Sequence, residues 1–146
     1  MQKKEKKEIV VILDTNLIVS HIWGSPNAAL IMQAVRDVAG LVPVISLEML
    51  QELKETLAKP KIEKKISKGI AAEYIKELMV YAKYVEPRIK VSACDDPDDN
   101  MLFECAVEAR ADYIISGDKA VLAVKEYEGT KVITPQDFIQ KVLNVK

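Results

Sequence analysis

The hydrophobic and polar positions of this chain alternate between two periods. EIVVIL (8–13) is a short β-branched apolar run that ends at Asp14, the pattern of a strand covered on both faces. SPNAALIMQAVRDVAG (25–40) has helical spacing, with Ser25 to cap it, Pro26 in the first turn and Gly40 at the end. LVPVIS (41–46) predicts a second strand. Ser46 then caps a helix to about Leu57 that carries Leu50, Leu53 and Leu57 on one face. Two further helices are predicted near 61–68 and 71–84, divided by Gly69. EPRIKV (86–91) predicts a third strand, at an edge because of Pro87. A helix over 98–110, a strand at DYIIS (112–116), a short helix at AVLAVKEY (120–127), a strand at KVIT (131–134) and a final helix at PQDFIQKVL complete the order. Strands alternating with helices predict an α/β fold with a parallel sheet covered on both faces.

Composition narrows the class. The chain has 146 residues, 49% hydrophobic and 29% charged, which predicts one domain spanning 1–146 with a sizeable core. The charged MQKKEKKE start lacks the apolar core of a signal peptide, and residues 1–7 are expected to fray. No apolar run reaches membrane-spanning length, so the expected location is cytoplasmic, with no membrane partner. The two cysteines, Cys94 and Cys105, do not make a disulfide framework. The single histidine, His21, excludes mechanisms that need two imidazoles. A net charge of −1 gives no global basic field, so a nucleic-acid partner needs a local basic patch or a metal.

The candidate chemistry lies in carboxylates. Ligands of open α/β sheets bind beyond the carboxyl ends of the strands. Asp14 follows the first strand there. Asp118 follows the fourth in ISGD, where Gly117 is expected to permit a tight turn. ACDDPDDNM (93–101) brings Asp95, Asp96, Asp98 and Asp99 into the same edge, and Glu52 on the second helix is within reach of it. Carboxylates this close raise one another's pKa. A divalent cation resolves the conflict, and oxygen ligands favour Mg²⁺ or Mn²⁺ over zinc. A competing account makes Asp96 a helix N-cap, with Asp98 and Asp99 at the positive end of the helix dipole. Asp14 and Asp118 also suit caps. The two accounts are compatible.

ILDTN (12–16), SLEMLQEL (46–53), DPDDNMLFECAVEARADYIISGD (96–118) and VITPQDFI (132–139) together resemble a PIN-domain protein, of the branch containing VapC-like ribonuclease toxins of toxin–antitoxin pairs. The resemblance spans nearly the whole chain. It implies a Rossmann-like three-layer sandwich whose sheet has five parallel strands in the order 3-2-1-4-5. It further implies one or two Mg²⁺ or Mn²⁺ ions held by Asp14, Glu52, Asp99 and Asp118, with Asn16 and Ser116 in support. Asp96 or Asp98 is an alternative to Asp99. Periodicity does not single out Glu52, because Glu48 and Glu55 share its helical face; only the resemblance does. The implied activity is endonucleolytic cleavage of single-stranded RNA by metal-activated water. The implied partners are RNA, an antitoxin protein and a second copy of the chain.

The lysine-rich KPKIEKKISK (59–68) offers Lys59, Lys61, Lys64 and Lys65 for phosphate contact, against the ordinary reading of a solvated helix face. Trp23, placed in the loop after the first strand, is the aromatic candidate for base stacking. Three rivals remain. A haloacid-dehalogenase-like phosphatase needs a second aspartate where Asn16 stands. A receiver domain needs a lysine where Thr134 and Pro135 stand. The third is a PIN fold without catalysis, kept as a binding module.

Overall fold

In the computed structural model, which describes residues 8–145, the predicted alternation builds one six-stranded sheet. The expectation for residues 1–7 lies outside the described residues. In chain order the elements are β1 (Ile9–Leu13), α1 (Thr15–Ile22), α2 (Pro26–Asp37), β2 (Leu41–Ser46), α3 (Leu47–Leu57), α4 (Pro60–Glu63), α5 (Lys68–Tyr81), β3 (Lys83–Val85), α6 (Pro97–Ala109), β4 (Tyr113–Ile115), α7 (Lys119–Leu122), β5 (Glu126–Tyr127), β6 (Thr130–Ile133) and α8 (Pro135–Asp137). A π-helical turn, Phe138–Val142, continues α8.

The sheet order is β3-β2-β1-β4-β6-β5. β1 lies centrally, parallel to β2 through Ile9 opposite Leu41 and to β4 through Val11 opposite Tyr113. β4 pairs in parallel with β6. Helices flank the sheet, and α6 crosses β1, β2, β3 and β4. The continuous apolar runs read as covered strands are indeed covered: Val11, Ile12, Ile114 and Ile115 are fully buried. Phe103 of α6 and Phe138 are also fully buried, edge-on to Tyr127 of β5 and Tyr113 of β4 respectively.

Four local expectations need correction. The third strand is Lys83–Val85, not 86–91. The backbone of the predicted segment is taken by carboxylates instead: the Arg88 N–H donates to Glu108 Oε1 (3.2 Å) and the Val91 N–H to the buried Glu104 Oε2 (3.0 Å). The sheet gains a sixth strand because Glu126 and Tyr127, expected as the end of a helix over 120–127, form β5 antiparallel to β6, and α7 stops at Leu122. The two-residue turn from β5 to β6 has Glu128 at φ 47° and Gly129 at φ 86°, the left-handed pair that matches the twist of a hairpin. Gly69 does not divide two helices; it lies in the first turn of α5, which Ser67 caps. Finally, residues 15–22 are helical, so Trp23 ends a helix rather than lying in a loop.

Candidate functional site

Three of the acids predicted at the sheet edge, Asp14, Asp96 and Asp118, start helices. Asp14 caps α1, and its Oδ1 accepts from the Asn16 N–H (3.0 Å). Asp96 caps α6 and accepts from the Asp98 N–H (2.9 Å). Asp118 caps α7, its Oδ1 accepting from the N–H of Ala120 (2.8 Å) and Val121 (3.4 Å). The capping account is therefore correct for all three. It does not exhaust them, because a carboxylate has about four acceptor sites on its two oxygens.

The same acids share one polar cavity of about 280 Å³. Asp14, Glu52, Asp96, Asp98, Asp99 and Asp118 line it, from the ends of β1 and β4, from α3 and from the start of α6. Asn16 also lines it, and Lys59 is the lining cation. Glu55 reaches the rim too, whereas Glu48 turns to Lys90 (3.8 Å).

Hydroxyl groups, not cations, hold Asp14 and Glu52 in place. Ser116, fully buried, donates from Oγ to Asp14 Oδ2 (2.7 Å) and accepts the Asp118 N–H on the same oxygen (3.0 Å). The Asp14 N–H in turn donates to the Ile115 carbonyl (3.1 Å), which locks the end of β1 to the end of β4. Thr15, buried beside Asp14, donates from Oγ1 to Glu52 Oε1 (2.5 Å). The buried Asn100 clamps the acidic loop, its Oδ1 accepting the Cys94 N–H (2.8 Å) and its Nδ2 donating to the Cys94 carbonyl (2.9 Å).

The electrostatics record this crowding. The Asp99 carboxyl is pushed up to about 6, by burial first and then by Asp118, Asp96, Asp14 and Glu52. Burial also raises Glu52; the Thr15 hydrogen bond opposes that rise, and Asp98, Asp14 and Asp96 add to it. The Cys94 thiol beside them is raised by burial and then by Asp99 and Asp118.

Sequence reasoning gave no role to Thr15 or Asn100. The signal for both was adjacency: Thr15 follows Asp14, and Asn100 follows Asp99, inside the motifs already singled out. Among the other candidates, Lys61, Lys64, Lys65 and Trp23 stand outside the cavity. Two of them meet each other, since Lys65 Nζ lies 5.8 Å from the centre of the Trp23 ring. His21 does not line the cavity and shares a 2.8 Å hydrogen bond between Nδ1 and the Tyr74 hydroxyl. Cys94 and Cys105 are free thiols.

Among the described residues, no three carboxylate, thiol or imidazole groups close on one point as a ready ligand cage. The acids line a shared cavity instead. The donors present fit a hard divalent cation, because they are all oxygen and are matched by hydroxyl and amide donors rather than by buried cations. Mg²⁺ takes only one or two carboxylates directly and keeps several waters, so it needs no such cage. Among the described residues, no helix is long and apolar enough to cross a membrane.

A central parallel sheet with acids gathered beyond its carboxyl ends defines a Rossmann-like α/β site. The PIN domain family matches residues 10–120, well over half of the chain, and the chain belongs to that family. It is 28% identical over 155 aligned positions to the uncharacterized protein MJ1680 of Methanocaldococcus jannaschii, with 97% of this chain and 96% of that one covered. Its fold is similar to that of VapBC2 from Rickettsia felis, solved bound to a DNA fragment from their promoter (TM-score 0.59, 12% identity). It is also similar to FitAcB from Neisseria gonorrhoeae (TM-score 0.56, 13% identity). Each alignment covers 86% of this chain and 98% of the other.

Proposed function

We propose that this PIN-domain protein is an endoribonuclease that cleaves single-stranded RNA with the aid of Mg²⁺ or Mn²⁺. One observation carries the reading: carboxylates from four separate segments line one cavity at the sheet edge, and they are held there by Ser116, Thr15 and backbone amides rather than by neutralising cations. PIN domains are in general nucleases, which agrees with it.

In this account Asp14, Asp99 and Asp118 hold the cation. Ser116 fixes the Asp14 carboxylate, and the α7 cap fixes Asp118. A bound divalent cation supplies activation of water and stabilisation of the leaving oxygen. Glu52, oriented by Thr15, positions the attacking water and takes its proton. The products are a 5′-phosphate and a 3′-hydroxyl. Lys59, at the wall of the cavity, and the Lys65–Trp23 pair outside it are the places where phosphate and base contacts would add affinity.

The biological setting proposed is a toxin of a toxin–antitoxin pair, acting in the cytoplasm, with an antitoxin protein and a second copy of the chain as partners. The resemblance of the motifs to VapC-like toxins supports it, and so does the fold shared with VapBC2 and FitAcB. The test is incubation of the purified protein with single-stranded RNA, with Mg²⁺ or Mn²⁺ and with EDTA. Cleavage that EDTA abolishes supports the reading. Absence of cleavage with either metal favours the rival account, a PIN fold that binds without catalysis.

A further inference from the structure

A second cavity, of about 510 Å³, adjoins the acidic one and shares Asn16 and Asp118 with it. It lies between the first turn of α1, the start of α2 and the start of α8. Its volume falls within the range of about 300–1,000 Å³ found for small-molecule sites. Its chemistry differs sharply from that of its neighbour. Apart from the shared Asp118, its polar side chains are neutral: Ser20, Ser25, Asn27, Thr134 and Gln136 join Asn16. Half-buried Pro135 adds apolar surface, and Leu17, a core residue, closes the floor.

Several of these polar groups are uncommitted. Among the described residues, the side-chain amides of Asn16, Asn27 and Gln136 make no hydrogen bond, and all three residues are exposed. Amides carry both donors and acceptors. That is the complement of a nucleobase edge, which single-stranded RNA presents unpaired. No cation lines this cavity to hold a phosphate. The shared Asp118 would repel one.

We infer that this neutral groove seats the base of the nucleotide next to the scissile phosphate and reads its edge through Asn27 and Gln136. The inference rests on the nuclease reading, because a strand whose phosphate lies among the acids passes Asn16 and Asp118 into this groove. Pro135 supplies the apolar surface beside which the ring lies. Asn27 and Gln136 are specificity residues in this account, and they stand outside the acidic cavity.

The test uses neutral ribonucleosides, which carry no phosphate for the acids to repel and need no metal. Adenosine, guanosine, cytidine and uridine are titrated separately into ¹⁵N-labelled protein, with the side-chain NH₂ signals of Asn27 and Gln136 as reporters. The expected result is saturable shifts there with at least one nucleoside, weakened about tenfold in the Asn27→Ala/Gln136→Ala double variant. Shifts with no nucleoside, or equal affinity in the double variant, overturn the inference and leave the groove to a protein segment. A second arm maps cleavage positions on an RNA of random sequence. The double variant should lose base preference at one position beside the cut while still cleaving. An unchanged preference also overturns the inference. Failure of the nuclease reading is distinguishable, because then the wild type cleaves nothing whether or not nucleosides bind.

Discussion

Ser116 Oγ donates a 2.7 Å hydrogen bond to Asp14 Oδ2, across 102 residues of sequence, while accepting the Asp118 amide. One buried hydroxyl thus sets the spacing of two acids that arrive from different strands. The Ser116→Ala variant leaves a buried carboxylate oxygen without that donor, which costs about 1–3 kcal/mol. A lower denaturant midpoint together with slower RNA cleavage is expected. A cleavage rate equal to wild type would mean that Ser116 only packs.

The acidic loop divides its labour. Asp96 caps α6, so Asp96→Ala is expected to lower stability by about 1 kcal/mol and to leave cleavage largely intact. Asp99 makes no cap and is pushed up to about 6 by burial and its acidic neighbours. Asp99→Asn is expected to abolish cleavage with the fold retained, as read by circular dichroism. If Asp96→Asn abolishes cleavage and Asp99→Asn does not, the third cation ligand is misassigned.

Thr15 acts on Glu52. Its hydrogen bond holds the Glu52 carboxyl below the value that burial and the neighbouring aspartates would otherwise impose. The Thr15→Val variant removes that donor at nearly constant volume, so Glu52 ionises at higher pH. The acid limb of the pH–rate profile is expected to move upward relative to wild type. An unmoved limb would remove Glu52 from the role of base.

Stability without metal is expected to depend on pH through Asp99. Its folded pKa of about 6 exceeds the ~3.9 of an unfolded aspartate. The folded state therefore holds more protons between those values, and stability falls as pH rises from about 4 to about 6. Above that window the ionised group opposes folding by a constant amount. Denaturant midpoints measured across the window, with and without saturating Mg²⁺, check this. Mg²⁺ should flatten the curve because it favours the ionised carboxylates, and Asp99→Asn should remove the Asp99 part of the slope. Identical curves with and without Mg²⁺ would mean that the acids share no cation.

The legible parts of the molecule were those where local pattern and tertiary role agree. β1, β2 and β4 are apolar runs buried in the sheet, and Ser25, Ser46 and Asp96 cap the helices they precede. The acids were legible as a group because the carboxyl ends of parallel strands converge. The failures have physical causes. Ile18, Val19 and Ile22 are β-branched, with weak helix propensity, so α1 depends on its Asp14 cap and on packing against α2 and α3. EPRIKV has a strand-like composition, yet Glu104 and Glu108 of α6 take its amides. No local pattern announces a bond made by a residue 13 or 20 positions away. β5 is only two residues long, and its signal was the Glu128-Gly129 turn. The tight turn expected at Gly117 is closed by the Asp118 N–H to Ser116 Oγ bond, with Gly117 not in the positive-φ region.

The central claim is that these acids act through a divalent cation on a phosphodiester. It is tested most directly by cleavage of end-labelled single-stranded RNA, comparing wild type with Asp14→Asn, Asp99→Asn and Asp118→Asn. The account predicts cleavage with Mg²⁺ or Mn²⁺, none in EDTA, none by any of the three variants, and fragments ending in 5′-phosphate and 3′-hydroxyl. Cleavage that persists in EDTA or in the Asp14→Asn variant, or fragments ending in a 2′,3′-cyclic phosphate, would contradict it.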